Sequence, residues 1–333
     1  MQKRNKKLLI AWCIFGIFVV SFMIETKVYD DSQREREFSY QYRIIVGIIV
    51  DENAKKSTSS ETEEDISNEE NKISEKKEVE KAGKTESIDE ALYEQLPCGY
   101  VPKISPDGLR VFDTYSAKFK NDEKENKNRL YLIVLLDADT DQNYIASIIR
   151  RLGKNKVTFV VPQYSNNLPE TVKLIVSAGH EFLLQIPTQT SVPSKKQGIV
   201  APFLANMSAE DLINKLHLLL ASSKYAIGLA NTTSTLLTKS SNCMSGIVEE
   251  LSKRGLAFLD LEKSNEVMQK ISESNSDFIY INVPQMFQKN MSSKELAEKS
   301  AISVFINDVP VFLSEFSKQK NRVLAPISAM IKK

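Results

Sequence analysis

The pattern of apolar and polar positions changes character at residue 129. From Leu130 to Leu136 seven successive residues are apolar, and the run ends in three alternate acids, Asp137, Asp139 and Asp141. An unbroken, branched run of this length reads as a strand buried on both faces, as in a parallel sheet. The first strand is predicted over 130–137. Others follow at 157–162, 181–186, 225–230, 256–260, 278–282, 301–305 and 322–325. Between them apolar residues recur at helical spacing. In 208–220, Ser208 is an N-cap with an acid, Asp211, three residues on. Leu212, Ile213, Leu216, Leu219 and Leu220 then share one face. A second helix is predicted over 244–254, stopped by Gly255. The longest interruption, 187–207, holds Pro187, Pro193 and Pro202 and reads as a long rim loop after the third strand.

Short strands each followed by a helix define an α/β fold, with a parallel sheet inside and helices outside. No Gly-x-Gly-x-x-Gly turn follows the first strand, which argues against a dinucleotide-binding fold. A (β/α) barrel of seven or eight units fits the roughly 200 residues available. A doubly wound open sheet is the alternative.

The pattern before residue 129 is of another kind. Residues 1–7 form a basic tail, and 8–24 are seventeen residues without a charge. As a helix the latter would be about 26 Å long, close to a hydrocarbon core once flanking lysines snorkel. Four basic residues precede it and Glu25 follows. The positive-inside rule then sets a single-pass helix in a bacterial inner membrane, with a cytoplasmic N-terminus and a periplasmic remainder. A cleaved export signal is the rival reading, but Ser21 to Glu25 makes a poor cleavage site. Residues 25–50 are a juxtamembrane segment with a β-prone patch at 38–50. Residues 51–89 hold thirteen acids, seven lysines and no aromatic residue. Such a segment buries too little to offset chain entropy and is expected to be a disordered linker. The remaining domain is 90–331. It opens with a short helical stretch at 89–95 and a proline- and glycine-broken arm at 96–108. A strand around Val111, Phe112 and Tyr115 and a polar loop to residue 128 follow.

Composition narrows this little. The 44 basic and 43 acidic residues nearly cancel, so no nucleic-acid footprint is visible. The cysteines, Cys13, Cys98 and Cys243, are too few for a disulfide scaffold and lack metal-ligand spacing. Cys98 and Cys243 either pair or stay as two buried thiols.

Several blocks, in order, resemble the divergent polysaccharide deacetylase family of bacterial envelope proteins, over Leu96 to about Met330. They are Pro102 to Gly108, Val157 to Asn167, Ala178 to Pro187, Ile227 to Asn231 and Glu249 to Asp260. The resemblance implies a distorted (β/α) barrel with seven or eight units. It also implies metal-assisted hydrolysis of N-acetyl groups on an envelope polysaccharide or peptidoglycan fragment, with one divalent metal ion as cofactor. The metal would lower the pKa of the attacking water and polarise the acyl carbonyl. Asp137 takes the place of a metal ligand and Asp139 that of a displaced base. Gln185, Asn231 and Asp260, at strand ends, are candidate substrate contacts.

The chain departs from that pattern. Leu136 replaces one acid of the family's usual pair, and Asp139 replaces its glycine. His180 precedes the third strand, and His217 lies inside a leucine-rich helix. Neither is placed at the carboxyl ends of the strands, so an Asp-His-His zinc site is not expected. An all-oxygen site for a harder metal remains. The bland reading of the three aspartates is that they cap the following helix. Two functions therefore compete: a membrane-anchored deacetylase, and a catalytically degenerate relative that binds a glycan or an envelope protein.

Overall fold

The structure is a computed structural model, and it describes residues 90–119, 128–165, 167–188, 200–232, 236–263 and 265–331. The chain divides into two units, Met1–Lys72 and Ile73–Lys333, and every described residue belongs to the second. The predicted membrane helix at 8–24, the juxtamembrane segment and the linker at 51–89 lie outside the described residues. Among those described, no helix is long and apolar enough to cross a membrane.

The domain opens with an antiparallel hairpin, β1 (Tyr93–Leu96) and β2 (Gly99–Pro102), then a short helix, α1 (Val111–Tyr115). The arm is thus more regular than its prolines suggested. Pro97 and Cys98 sit at the hairpin turn, and Pro102 ends the second strand. The strand expected around Val111 is a helix instead. A five-residue turn buries Val111 and Phe112 together, and Arg110 Nε donates to Asp113 Oδ2 at 2.6 Å across its first turn.

The main sheet is wholly parallel. Its strands are β3 (Arg129–Leu135), β4 (Thr158–Pro162), β5 (Glu181–Gln185), β6 (Gly228–Asn231), β7 (Ala257–Asp260), β8 (Ile279–Asn282), β9 (Ala301–Phe305) and β10 (Val323–Ala325). From β3 to β8 neighbours follow chain order, and β9 returns to the other side of β3. β10 pairs with the first three residues of β3. The sheet therefore curls. Beyond β8 its only link to β9 among the described residues is a bridge between Met286 and Ser303. Phe287 N donates to Ser303 O and Ser303 N to Gln285 O there. A sheet that curls back on itself excludes the doubly wound open alternative.

Helices α2 (Gln142–Leu152), α3 (Leu168–Ser177), α4 (Ala209–Ala221), α5 (Ser241–Lys253), α6 (Glu266–Glu273), α7 (Ser293–Ala297) and α8 (Val309–Phe316) connect the strands. Ser208 caps α4 by accepting from Asp211 N, as its spacing predicted. Gly255, at φ +63°, ends α5 in a conformation that side chains resist.

β3 is apolar throughout because both its faces are covered. Ile133 and Leu135 join Val160, Leu183, Ala230, Leu259 and Ile281 in the core inside the curl, while Leu130, Leu132 and Val134 are fully buried on the outer face. Each such side chain contributes about 1.5–3 kcal/mol by leaving water. The inner core is packed at its amino end by a polar cluster. Glu181, 1% exposed, accepts from Thr158 Oγ1, Ala117 N, Ser328 N and Ser328 Oγ. Burial raises its carboxyl pKa. With Phe112 and Ile327 it floors the barrel interior.

Candidate functional site

Registered partners in a parallel sheet share a face, and successive residues alternate. Leu135 is paired with Val160 and with Phe305, and Gln185 is paired with Pro162 and Ala230. Leu135, Val160 and Ala230 belong to the inner core. Alternation therefore turns Phe305 and Gln185 inward, and Asp137 lies at the mouth, two residues past the end of β3. Asn231, Asp260 and Asn282 form one row and follow the inner residues Ala230, Leu259 and Ile281. That row faces the other way, toward the helices.

The five residues singled out in the sequence thus divide into two groups. Asp137 and Asp139 occupy the turn between β3 and α2. Asp137 is half-buried and accepts from Asn307 Nδ2 at 3.3 Å. Its backbone is closed into a small turn by Thr140 Oγ1, which accepts from Asp137 N and donates to Asp137 O. Burial, and then the Asp139 charge, push the Asp137 carboxyl pKa up. Asp139 is exposed. Gln185 ends β5, where its Nε2 donates to Thr232 Oγ1 at 2.7 Å. Asp141, and not the other two acids, caps α2: its Oδ1 accepts from Asn143 N and Tyr144 N.

Asn231 and Asp260 are held together beneath the helices. Asp260 is fully buried and accepts from Asn231 Nδ2, Glu262 N, Asn265 Nδ2 and Tyr280 Oη, at 2.9–3.2 Å. Burial raises its pKa despite these donors. Asn265 also caps α6 by accepting from Met268 N. This cluster ties β6, β7 and β8 to one another and to α6.

The described residues on either side of 189–199 are joined at the same end of the barrel. Gln163, just past β4, donates to Val200 O and accepts from Val200 N. Phe203 N donates to Pro187 O, and Thr188 and Phe203 form a parallel bridge.

Both histidines are engaged elsewhere. His180 Nδ1 accepts from Val157 N at the amino end of β5, and its ring stands edge-on to Phe159. Burial drives its pKa down to about 4. On the outer side, His217 of α4 lies 2.6 Å from Glu250 Oε1 of α5. Arg254 pairs with Glu250 and also reaches Glu94 Oε1 and Pro102 O of the hairpin. Hydrogen bonds from His217 and Arg254 hold the Glu250 carboxyl at about 2.

A resident metal therefore lacks its imidazoles, since the chain has no third histidine. Among the described residues, no group of three or more His, Cys, Asp and Glu is placed to hold an ion. The donor set at the mouth, Asp137 with the neighbouring Asp139 and the amide of Asn307, does not fit an Asp-His-His site. Cys98 and Cys243 are free thiols, partly and fully buried respectively. Sequence reasoning missed Thr232, Asn307 and Phe305 as mouth residues. The position of Phe305 and Asn307 at and just past the end of a predicted strand was the available signal.

This architecture agrees with what comparison with known proteins gives. The family model described as divergent polysaccharide deacetylase matches residues 133–279, from within β3 to the start of β8. None of the curated proteins matches the chain in sequence. Among solved structures, an uncharacterized protein from Agrobacterium tumefaciens C58 is similar at 21% identity and a TM-score of 0.59, over 70% of this chain and 100% of that one. That likeness is one of fold. A peptidoglycan N-acetylglucosamine deacetylase aligns at 13% identity and a TM-score of 0.37, over 62% of this chain and 89% of its own. A CE4 family pseudoenzyme from Bacillus anthracis aligns at 12% and 0.33, over 61% and 65%. Overlaps as loose as these last two carry no information on what this chain does. The chain resembles the divergent polysaccharide deacetylases over residues 133–279.

Proposed function

We propose that the domain is a glycan-binding relative of the polysaccharide deacetylases that has given up hydrolysis. It would hold an envelope polysaccharide or peptidoglycan fragment at the mouth of its barrel. The chain would be anchored in the inner membrane by residues 8–24, with the domain in the periplasm at the end of the 51–89 linker. One observation carries the reading: the chain's two histidines are committed to a strand's amino end and to an interhelical ion cluster. The mouth keeps a carboxylate, two amides and a hydroxyl on Asp137, Asn307, Gln185 and Thr232. Such groups accept and donate to sugar hydroxyls without a metal.

The competing reading is metal-assisted deacetylation with Asp137 as ligand and Asp139 as base, and the family match over 133–279 favours it. One experiment separates the two. The purified full-length chain is assayed for acetate release from N-acetylglucosamine oligomers, and for binding them by calorimetry, with and without a chelator. The expected result is binding that ignores the chelator, no acetate, and roughly tenfold weaker binding in Asp137→Asn, the loss of one charge-assisted hydrogen bond. Acetate release abolished by the chelator and by Asp137→Asn would establish the hydrolase instead.

A further inference from the structure

The inner face of β9 ends in an aromatic ring that the fold leaves in solvent. Ala301, Ile302, Ser303 and Val304 are at most 7% exposed, whereas Phe305 is 42% exposed. The domain readily buries its phenylalanines elsewhere: Phe112, Phe159, Phe182, Phe203, Phe258 and Phe312 are all at most 2% exposed. A single exposed apolar residue needs no explanation by itself. Its neighbours give this one a role. Phe305 is registered with Leu135. Two residues further along each chain, Asn307 Nδ2 donates to Asp137 Oδ2. An open aromatic ring therefore stands beside a planar amide–carboxylate pair at the rim of the mouth.

A pyranose ring has the complementary chemistry. Its axial C–H bonds present an apolar, weakly positive face, and its hydroxyls project around the edge. The π-face of an aromatic ring is negative and apolar and packs against such C–H groups, while carboxylate and amide groups at the platform's edge meet the hydroxyls. We propose that Phe305 is the stacking platform of the mouth, and that it sets one pyranose unit of a polysaccharide against the Asp137–Asn307 pair. This inference rests on the glycan-binding reading and adds to it the residue that orients the sugar.

The test is calorimetric binding of an N-acetylglucosamine tetramer to the full-length chain and three variants, each checked by thermal melting. Phe305→Ala is expected to weaken binding about five- to tenfold, the scale of one aromatic stacking contact, with melting unchanged. Phe305→Leu keeps apolar bulk without the π-face and is expected to fall nearly as far. Phe305→Trp is expected to hold or improve affinity. It also adds an indole to a chain whose only tryptophan is Trp12, so its fluorescence should shift on binding. If wild type binds and Phe305→Ala or Phe305→Leu binds equally well, the platform is overturned while the glycan-binding reading survives. If wild type itself binds no tetramer, that reading falls and the platform falls with it.

Discussion

Asp137 and Asp260 look alike in the sequence, each an acid closing an apolar run, and the fold gives them opposite duties. Asp260 is surrounded by four donors and sealed from water. Its removal leaves those donors unsatisfied in the interior, at a cost of several kcal/mol. Asp260→Ala should therefore lose about 3 kcal/mol or more in urea denaturation. Asp137→Ala, losing one exposed contact at 3.3 Å, should stay within about 0.5 kcal/mol of wild type. Equal losses for the two would contradict this division. The sequence could not have drawn it. Strands that are apolar on both faces carry no alternation, so nothing in 228–231 or 257–260 says which residue looks inward. Only register with Ala230 and Leu259 does. The histidines were more legible: Gly179 before His180 and the leucines around His217 placed both away from the mouth, where the structure also keeps them.

At the level of elements, the strands were readable because each is a short, saturated apolar run. The observed bounds lie within three residues of the predicted ones, and β9 matches at both ends. The elements that escaped were those made by tertiary contact. The hairpin of β1 and β2 is pinned by Arg254, far along the chain, and α1 exists to sink Phe112 into the barrel floor. No local signal announces either. One close backbone approach is between β6 and β7. A Cβ on Gly228 would lie 2.1 Å from Ala257 O and 2.9 Å from Ala257 N, backbone that can move only if the ladder parts. Gly228→Ala should therefore destabilise the domain by about 3 kcal/mol, the upper range for overpacking. A melting temperature unchanged from wild type would refute that close approach.

Across the whole molecule, the buried titratable groups set how stability answers to pH. His180 has a folded pKa near 4 against an ordinary 6.5. As pH falls below 6.5 the unfolded chain takes up a proton that the folded chain refuses until about 4. The stabilisation is complete above 6.5, is lost between 6.5 and 4, and amounts to on the order of 3 kcal/mol. Glu250, depressed from 4.5 to about 2, adds a second loss further down, as pH falls from 4.5 toward 2. Glu181 and Asp260, both raised by burial, act in the opposite sense: their contributions are greatest in acid and fade as pH rises through their folded values. Urea midpoints taken from pH 7 to pH 4 should therefore fall less steeply for His180→Gln than for wild type. Gln keeps an acceptor for Val157 N but no titrating ring. Parallel slopes would remove His180 from the acid response.

The cluster around Glu181 has a last consequence for traffic. With Phe112 and Ile327 beside it and the inner strands packed above, the barrel is a cup and not a pipe. Nothing threads it. A glycan held at the rim as proposed above would therefore enter and leave at that one end, past the rim side chains and the links that join Gln163 to Val200 and Thr188 to Phe203.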